Sequence, residues 1–234
     1  MDREALSKRY DHVRAASYEA ERTDDSRWEM EHHAVATFLS RLSPGSSVLD
    51  APVGTGRFIG LYRDLEMAVT GVDASQSMLD KAIEAAAKLG AEVRLRVGDL
   101  FSLGFPASSF DAVVCMRFLN WVDSDDVRRA IEEFTRVSRS HLVIAVEEYT
   151  PGADFNLLRP SDFRRRALQI KRRCFMWRTN SDYVYHTRAV IRRAFLACNL
   201  EVVDQVQIPR KKDEGIDYRV FFLRKTLPSD GGPD

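Results

Sequence analysis

The sequence predicts an α/β fold built on a doubly wound, mostly parallel sheet, and three observations predict it. Short runs at 46–50, 68–73 and 93–99 each end in an acidic residue, and stretches with helical periodicity separate them. A further run at 110–116 is almost continuously apolar, as expected of a central parallel strand that is buried on both faces. Strands that alternate with helices are typical of parallel sheets, because a helix carries the chain back between neighbouring strands.

The first predicted strand leads into a turn that carries two glycines. Gly54 and Gly56 stand one residue apart, shortly after Asp50. Glycine lets the backbone approach a ligand more closely than a residue with a Cβ atom does, and the N–H groups of the following helix would face the same space. A Gly-x-Gly turn is by itself equally typical of an ordinary strand-to-helix connection. The residues that follow decide between the two interpretations.

Two further acids favour the ligand-binding interpretation. Asp73 ends the second strand about 20 residues after the glycines, where a ribose-binding carboxylate lies in nucleotide-binding βαβ units. The next helix is predicted from about 76 to 89, with Ser75 as its N-cap and Gly90 at its C-terminal end. Asp99 ends the third strand. An acid after each of three successive strands is difficult to attribute to chance.

These residues resemble the class I S-adenosylmethionine-dependent methyltransferases, and more narrowly the small-molecule branch that includes ubiquinone-biosynthesis-like enzymes. The resemblance rests on Val-Leu-Asp-Ala-Pro-Val-Gly-Thr-Gly, Gly-Val-Asp-Ala-Ser-Gln-Ser-Met-Leu, Gly-Asp-Leu and Ser-Phe-Asp-Ala-Val-Val-Cys in that order, and covers about residues 40 to 150. It implies a Rossmann-like, doubly wound, seven-stranded sheet with a terminal antiparallel strand and a helical lid insertion. One departure is Pro52, which replaces the first glycine of the commonest family pattern and lacks a backbone N–H.

The resemblance also implies S-adenosylmethionine as the cofactor and indicates which residues hold it. Asp73 would bind the ribose, Met78 would form an adenine wall, and Asp99 with the Leu100 N–H would face the adenine edge. Tyr18 would fold over the methionine end of the cofactor, with packing as an equal alternative. The predicted cofactor-binding residues are Tyr18, Asp50, Ala51, Pro52, Gly54, Gly56, Asp73, Ala74, Met78, Asp99, Leu100 and Met116.

The methyl acceptor is expected past the fourth strand, because ligands of open α/β sheets bind beyond the carboxyl ends of the strands. Arg117, Asn120 and Trp121 follow that strand and are the predicted acceptor-binding residues. Packing against the next helix is an equal alternative for Trp121. His186 is the candidate general base for a hydroxyl acceptor, although packing is the more common role of a lone histidine.

Residues 147–185 are predicted to form the lid insertion, because this segment is longer than an ordinary connection. Basic residues at 159–173 are interleaved with apolar and aromatic ones. This pattern indicates an amphipathic lid over the acceptor pocket and favours an anionic acceptor, such as a phosphorylated or carboxylated metabolite. A solvated charged face is the alternative.

Length and composition predict a single domain, because 234 residues suffice for one well-buried core. We expect this domain at 1–226, with a helical cap at 1–42 and a disordered tail at 227–234. The 35 lysines and arginines balance the 35 aspartates and glutamates. This balance argues against a dedicated nucleic-acid-binding protein, although it leaves room for a local basic face.

The cysteines and the hydropathy pattern predict a reducing compartment. Cys115, Cys174 and Cys198 form no Cys-x-x-Cys pair, so reduced thiols and no metal site are expected. No apolar run is long enough to span a bilayer, and the N-terminus is charged and lacks the apolar core of a signal peptide. We therefore expect a cytoplasmic protein with no membrane partner.

The predicted function is methyl transfer to a small acceptor, with O-methylation favoured. An RNA methyltransferase that uses the lid and Arg210-Lys211-Lys212 on phosphates is an alternative, and strong salt dependence of RNA binding would favour it. A catalytically silent cofactor-binding or partner-binding module is the alternative from another class. A nicotinamide enzyme is disfavoured, because Ile59 occupies the third glycine site of Gly-x-Gly-x-x-Gly.

Overall fold

A computed structural model describes residues 26–149, 183–209 and 216–226 of the chain. Helices and strands alternate along most of the first range. The elements in chain order are α1 (Ser26–Leu39), β1 (Ser47–Asp50), α2 (Ile59–Asp64), β2 (Ala68–Asp73), α3 (Gln76–Leu89), β3 (Val93–Val97), β4 (Phe110–Cys115), a 3-10 turn (Leu119–Trp121), α4 (Ser124–Val137), β5 (Ser138–Tyr149), β6 (His186–Thr187), α5 (Arg188–Ala197), β7 (Leu200–Ile208) and β8 (Ile216–Lys225).

One sheet contains all the described strands. Its order is β3-β2-β1-β4-β5-β8-β7, and the two-residue strand β6 pairs with β5 beside this path. Strands β1 to β5 are parallel, whereas β8 is antiparallel to both of its neighbours. The structure confirms the predicted Rossmann-like α/β fold with a closing antiparallel strand, and β6 adds an eighth strand to the seven expected.

Strand order reverses between β1 and β4, and this reversal places a crevice at the carboxyl ends of the central strands. The chain passes outward from β1 to β2 and β3 on one side, and from β4 to β5 on the other. Helices that leave β1 and β4 in opposite directions open a space between them. The predicted cofactor turn follows β1, so the fold brings this turn to the crevice.

The helix ends follow from local sequence. Ser75 caps α3, since its Oγ accepts the Met78 N–H at 3.3 Å, and Gly90 closes the helix with a φ of 60°. Thr187 caps α5 in the same way, and Asn199 adopts a left-handed φ of 53° just beyond it. The ends of α3 confirm the predictions for Ser75 and Gly90, and the same residue types account for the ends of α5.

Apolar side chains cover both faces of the sheet, because successive residues of β4, β5 and β8 point to opposite sides. Helices α4 and α5 pack on one face, and α1 and α2 pack on the other. The first face includes Val113, Leu142, Phe221, Ile131 and Phe195, and the second includes Val114, Val143, Phe222, Val35 and Phe38. This two-sided core fixes the strand ends that carry the site.

One predicted boundary changes, and the structure defines the start of one helix. Strand β5 extends to Tyr149, so residues 147–149 belong to the sheet and not to the lid, because they continue the ladder with β8 as far as Ile216. The helix after the glycine turn begins only at Ile59. Residues 150–182 of the predicted lid, and Tyr18, lie outside the described residues.

None of the helices in the described ranges is both long and apolar enough to cross a bilayer.

Candidate active site

A cavity of about 360 Å³ lies at the carboxyl ends of β1 to β4. Its volume lies within the range of small-molecule sites, and its position is the one that the sheet topology favours. Residues that were predicted for the cofactor supply much of its wall. Those that line it are Asp50, Pro52, Gly54, Asp73, Ala74, Met78, Asp99, Leu100 and Met116.

Asp73 ties the glycine turn to β2. One carboxylate oxygen of this side chain accepts the Gly54 N–H at 2.9 Å, and the other accepts the Ser75 N–H at 2.9 Å. Burial raises the pKa of Asp73, and the backbone donors act in the opposite direction. Gly54 adopts a φ of 56°, and a Cβ atom there would meet no protein atom within 4 Å. The turn therefore presents bare backbone to the cavity.

Asp50 forms the floor of the cavity at the end of β1. Its side chain is buried, and the Tyr62 hydroxyl donates a hydrogen bond of 3.0 Å to it. Burial raises the pKa of Asp50 to about 7, and the charge of nearby Asp73 adds to this rise. Tyr62 and Arg57 act in the opposite direction. A buried carboxyl with a raised pKa gains from a nearby cationic group of a ligand, because the cation stabilises its ionised form.

The other end of the cavity is mainly apolar. Met78 and Leu100 are buried and form part of its wall. The Asp99 carboxylate accepts the Phe101 N–H at 3.0 Å, which orders the loop after β3. Gly98 allows this loop to lie close to β2, because a Cβ atom there would approach Val72 to 2.7 Å. Apolar walls beside one acid suit an aromatic ring that carries an amino group.

A cluster of charged and aromatic side chains forms the remaining wall. Arg57 and Arg117 both line the cavity, and the buried Glu31 of α1 forms ion pairs with each of them. The Arg57 guanidinium lies 4.1 Å from the centre of the Trp28 ring and 4.7 Å from that of Phe58. We call Glu31, Arg57 and Arg117 the arginine clamp.

Two of the predicted acceptor-side residues reach the cavity. Trp121 lines it and also packs edge-on against Tyr183, with ring centres 5.0 Å apart, so its acceptor-binding role stays a prediction. Arg117 lines the cavity through the arginine clamp. Asn120 does not. Its amide donates to Glu147 O and Val184 O and accepts the Glu147 N–H, so it joins β5 to the segment before β6.

Three other predicted residues lie away from the cavity wall. The α-carbon of Gly56 faces Ile59 and Ala82, so this glycine serves the packing of the turn on α3. Ala51 is buried beneath the turn. His186 is buried, and its Nε2 contacts Leu119 O at 2.8 Å. Burial lowers the pKa of His186, although the Leu119 and Val122 carbonyls oppose this. The structure does not bring this candidate base to the cavity.

Several wall residues were not predicted from the sequence. Trp28, Arg57 and Phe118 line the cavity, and Glu31 supports it from behind. Arg57 and Phe58 follow directly after the glycine turn, so their position could have indicated a role. Trp28 and Glu31 lie on α1, where no local pattern connects them to the site. Among the described residues, no group of His, Cys, Asp and Glu could hold a metal ion.

Comparisons with known proteins agree with this geometry. Residues 48–141 match the family described as "Methyltransferase domain". A phosphatidylethanolamine N-methyltransferase of Cereibacter sphaeroides is 39% identical over 97 residues, which cover 41% of this chain and 46% of that protein. A malonyl-[acyl-carrier protein] O-methyltransferase of Serratia marcescens is 29% identical over 110 residues, which cover 47% of this chain and 41% of that protein. The aligned part is thus less than half of each relative.

The fold is also that of a solved methyltransferase. Magnesium protoporphyrin IX methyltransferase from Synechocystis PCC 6803, with bound SAH, superposes with a TM-score of 0.76 at 16% identity, covering 96% of this chain and 100% of that one. At this identity the likeness establishes the fold alone. The matched segment contains β1, the glycine turn, β2, β3 and β4, which together build most of the cavity wall. Residues 48–141 therefore match a methyltransferase domain, and the chain has the Rossmann-like fold of methyltransferases that use S-adenosylmethionine as the methyl donor.

Proposed function

We propose that this protein transfers the methyl group of S-adenosylmethionine to an oxygen atom of a small-molecule acceptor. The observation that carries the proposal is the cavity at the reversal of strand order, with bare backbone at Gly54 and carboxylates at Asp50, Asp73 and Asp99. Its walls fit the three parts of the cofactor. The family match over 48–141 and the methyltransferase fold support the same reaction class.

The cofactor would lie along the carboxyl ends of the strands. Its adenine would lie between Met78 and Leu100, with the amino group toward Asp99, and its ribose would lie beside Asp73. The amino-acid end would then reach Asp50 and the Gly54 turn. This orientation directs the reactive methyl group toward the end of β4, where Phe118 and Trp121 form an aromatic wall. We assign that wall to the acceptor.

The protein contributes mainly positioning and the exclusion of water. S-adenosylmethionine supplies a methyl group that its positively charged sulfur already activates. Trp121 packs against Tyr183, and Phe118 packs against Phe101 with ring centres 6.0 Å apart, so the acceptor wall is held in place. Correct placement of two reactants accounts for up to roughly 7–11 kcal/mol of a barrier. A site of this kind needs few catalytic side chains.

The titratable groups near the cavity support an acceptor that needs no general base, and oxygen is our choice among such acceptors. His186 lies elsewhere, and Asp73 is engaged by two backbone N–H groups. An acceptor that ionises in water, such as a carboxylic acid, requires no general base. It would also be anionic, in agreement with the charge expected from the predicted lid. The O-methyltransferase relative supports an oxygen acceptor, whereas the N-methyltransferase relative shows that the family match alone does not select the atom.

The RNA and silent-module alternatives remain outcomes of the test. The basic residues at 159–173 and 210–212, on which RNA binding would depend, lie outside the described residues.

The described thiols, Cys115 and Cys198, are free, which supports the proposed cytoplasmic location.

The test is incubation of the protein with methyl-labelled S-adenosylmethionine and a cell extract separated into metabolite and RNA fractions. We expect labelled metabolite that mass spectrometry identifies, and release of labelled methanol in alkali if the product is a methyl ester. Asp99→Ala should abolish labelling, whereas Asp64→Ala, which changes an exposed acid, should not. Label in RNA would support the alternative enzyme. Cofactor binding without any labelled product would indicate a silent module.

A further inference from the structure

The turn after β4 has two different faces. It is a 3-10 turn, in which residues three positions apart lie on the same side, and the Trp121 N–H donates to Phe118 O at 2.8 Å. Phe118 and Trp121 line the cavity. Leu119 and Asn120, which lie between them, are 0% and 1% exposed and do not belong to the cavity wall. The turn therefore carries the aromatic wall on one face and is buried in the protein on the other.

The buried face of the turn is held by the side-chain amide of Asn120. Its Nδ2 donates to Glu147 O at 2.9 Å and to Val184 O at 2.7 Å, and its Oδ1 accepts the Glu147 N–H at 2.8 Å. The Asn120 O accepts the Val184 N–H at 2.7 Å. Hydrogen bonds are directional, so several bonds from one amide fix the orientation of the turn as well as its distance from β5. Asn120 thus joins the turn to two other stretches of backbone.

The segment that contains β6 contacts the turn at two further points. We call residues 183–187 the β6 segment. Tyr183 packs edge-on against Trp121, with ring centres 5.0 Å apart, and His186 Nε2 contacts Leu119 O at 2.8 Å. The contacts run in opposite directions along the two stretches, with the Asn120 bonds between them. Because β6 also pairs with β5, the β6 segment connects the turn to the sheet.

The position of the aromatic wall therefore depends on the β6 segment as well as on β4. Closely packed residues transmit small displacements, so a shift of the β6 segment would reach Trp121 through Tyr183 and through the Asn120 amide. The cofactor turn has a separate support, because Asp73 accepts the Gly54 N–H at 2.9 Å. Asn120 is thus placed to affect the acceptor side of the cavity without affecting the cofactor side.

We propose that Asn120 is a positioning residue that holds Phe118 and Trp121 in the geometry that binds the acceptor, and that the β6 segment determines this geometry. Asn120 then acts on the acceptor indirectly, whereas the sequence predicted a direct contact. The inference rests on the proposed function, because that proposal assigns the aromatic wall to the acceptor.

The first test is labelling with methyl-labelled S-adenosylmethionine and serial dilutions of the metabolite fraction of the cell extract. Asn120→Ala should lower the initial rate at limiting amounts of this fraction by roughly 10- to 100-fold, since a displacement of about 1 Å has effects of that size. Its affinity for S-adenosylhomocysteine, measured by calorimetry, should change less than about twofold. Loss of cofactor affinity by the same factor as the rate would overturn the inference, because Asn120 would then support the whole cavity.

Tyr183→Leu is a second variant that keeps the hydrogen bonds of Asn120. Tyr183 is partly exposed, so this variant stays informative if Asn120→Ala fails to fold. It should lower the same rate by roughly 2- to 10-fold, as expected for loss of one aromatic pair, and leave cofactor affinity unchanged. An unchanged rate in Tyr183→Leu would overturn the inference.

Thr135→Val is the matched control for a buried hydrogen bond. The Thr135 hydroxyl donates to Ile131 O at 2.7 Å within α4 and is buried. Its loss should lower the melting temperature without changing the rate or the cofactor affinity. A rate loss in Thr135→Val equal to that in Asn120→Ala would show that lower stability alone explains the effect, and would overturn the inference.

Hydrogen exchange tests the same connection without an acceptor. In Asn120→Ala, amides of the turn and of the β6 segment should exchange faster together, whereas those of β2 should be unchanged. Faster exchange in the turn alone would overturn the inference. Absence of labelled product from the unmodified protein would reject the proposed function, whereas product formed equally well by both variants would reject this inference alone.

Discussion

Two acids at opposite ends of the paired strands β1 and β4, Asp111 and Asp50, have opposite surroundings. At the amino ends, Asp111 of β4 accepts the Ser47 N–H at 2.8 Å, the Ser47 hydroxyl at 2.7 Å and Arg139 Nη1 at 2.8 Å. Although burial alone would raise it, these donors lower the pKa of Asp111 to about 2. At the carboxyl ends, burial raises the pKa of Asp50 to about 7, and Tyr62 is the side chain that donates to it.

The difference between Asp111 and Asp50 indicates that one end of strand β1 serves stability and that the other end serves binding. At its start, strand β1 contributes Ser47, which donates two hydrogen bonds to Asp111. At its end it contributes Asp50, a buried acid whose pKa is raised. If both strand ends served only stability, Asp50 would be expected to accept as many hydrogen bonds as Asp111 does. The carboxyl ends instead keep a buried acid whose ionised form gains from a ligand. Each prediction below alters one end and uses the other for comparison.

The largest expected effect is at Gly56. Gly56→Ala puts a methyl group 2.5 Å from Ile59 Cδ1 and 3.1 Å from Ala82 Cα, at a φ of 82°. We expect the free energy of unfolding to fall by roughly 2–5 kcal/mol, from backbone strain and overpacking together, and cofactor binding to weaken as the turn moves. Urea denaturation and calorimetric titration with S-adenosylhomocysteine measure the two quantities.

Gly45→Ala provides the control from the amino end. Gly45 has nearly the same φ, 81°, but a Cβ atom there would meet nothing within 4 Å. It should cost only about 1–2 kcal/mol and leave binding unchanged. Equal losses at the two glycines would show that backbone strain, and not the packing of the turn on α3, sets the cost at Gly56.

The next effect concerns the pH dependence of stability at Asp50. Its pKa in the folded protein is about 7, well above the value near 4 of an unfolded chain. The folded state therefore binds the extra proton between these values, so the free energy of unfolding should fall as pH rises from about 4 to 7, by up to ~4 kcal/mol. Asp50→Asn should remove most of this slope, and Asp73, whose pKa burial also raises, should keep the rest.

Chemical denaturation at several pH values measures this slope. Binding of S-adenosylhomocysteine should strengthen over the same pH interval in the unmodified protein, because the amine of the ligand favours ionised Asp50. A slope that survived unchanged in Asp50→Asn would place the extra proton on another group.

Features that depend on residues close together in the sequence were predicted correctly, whereas contacts between distant residues were not. Strands and helix caps depend on neighbours within a few residues, so the sequence predicts the acids at the ends of β1 and β2 and the acid two residues beyond β3. Glu31 could not be identified, because it is 26 residues from Arg57 and 86 from Arg117 and lies on a helix without a motif.

The sequence also does not show in which direction each side chain points. Asn120 and Trp121 are adjacent in the same turn, yet one braces the backbone of β5 and the other reaches the cavity. Gly54 and Gly56 both have positive φ, yet only Gly54 faces the cavity. Spacing predicts which strand end a residue follows, but the packing of the whole sheet decides where it points.

A smaller effect is expected at the amino end. Asp111→Asn should lower the free energy of unfolding at neutral pH by about 1 kcal/mol, because the carboxylate is 35% exposed and solvent screens part of its interactions. Since the folded pKa is about 2, below the unfolded value, this contribution is present above pH 4 and is lost as pH falls toward 2. Thermal melting at pH 7 and pH 3 measures the difference. A change in S-adenosylhomocysteine affinity would contradict the separation of the two ends.

The smallest expected effect is at His186, which lies near the carboxyl ends but outside the cavity wall. His186→Gln keeps a donor for Leu119 O, and the buried imidazole is neutral near pH 7 because burial lowers its pKa. We expect turnover with the acceptor identified by labelling to change less than about twofold, with the same pH profile, since removal of a general base would typically cost ~10²- to 10⁴-fold. A loss of turnover of that size, without a change in melting temperature, would show that His186 acts as a general base. It would also show that the cavity wall rearranges when the acceptor binds, because His186 lies outside that wall and contacts Leu119 O in the turn after β4.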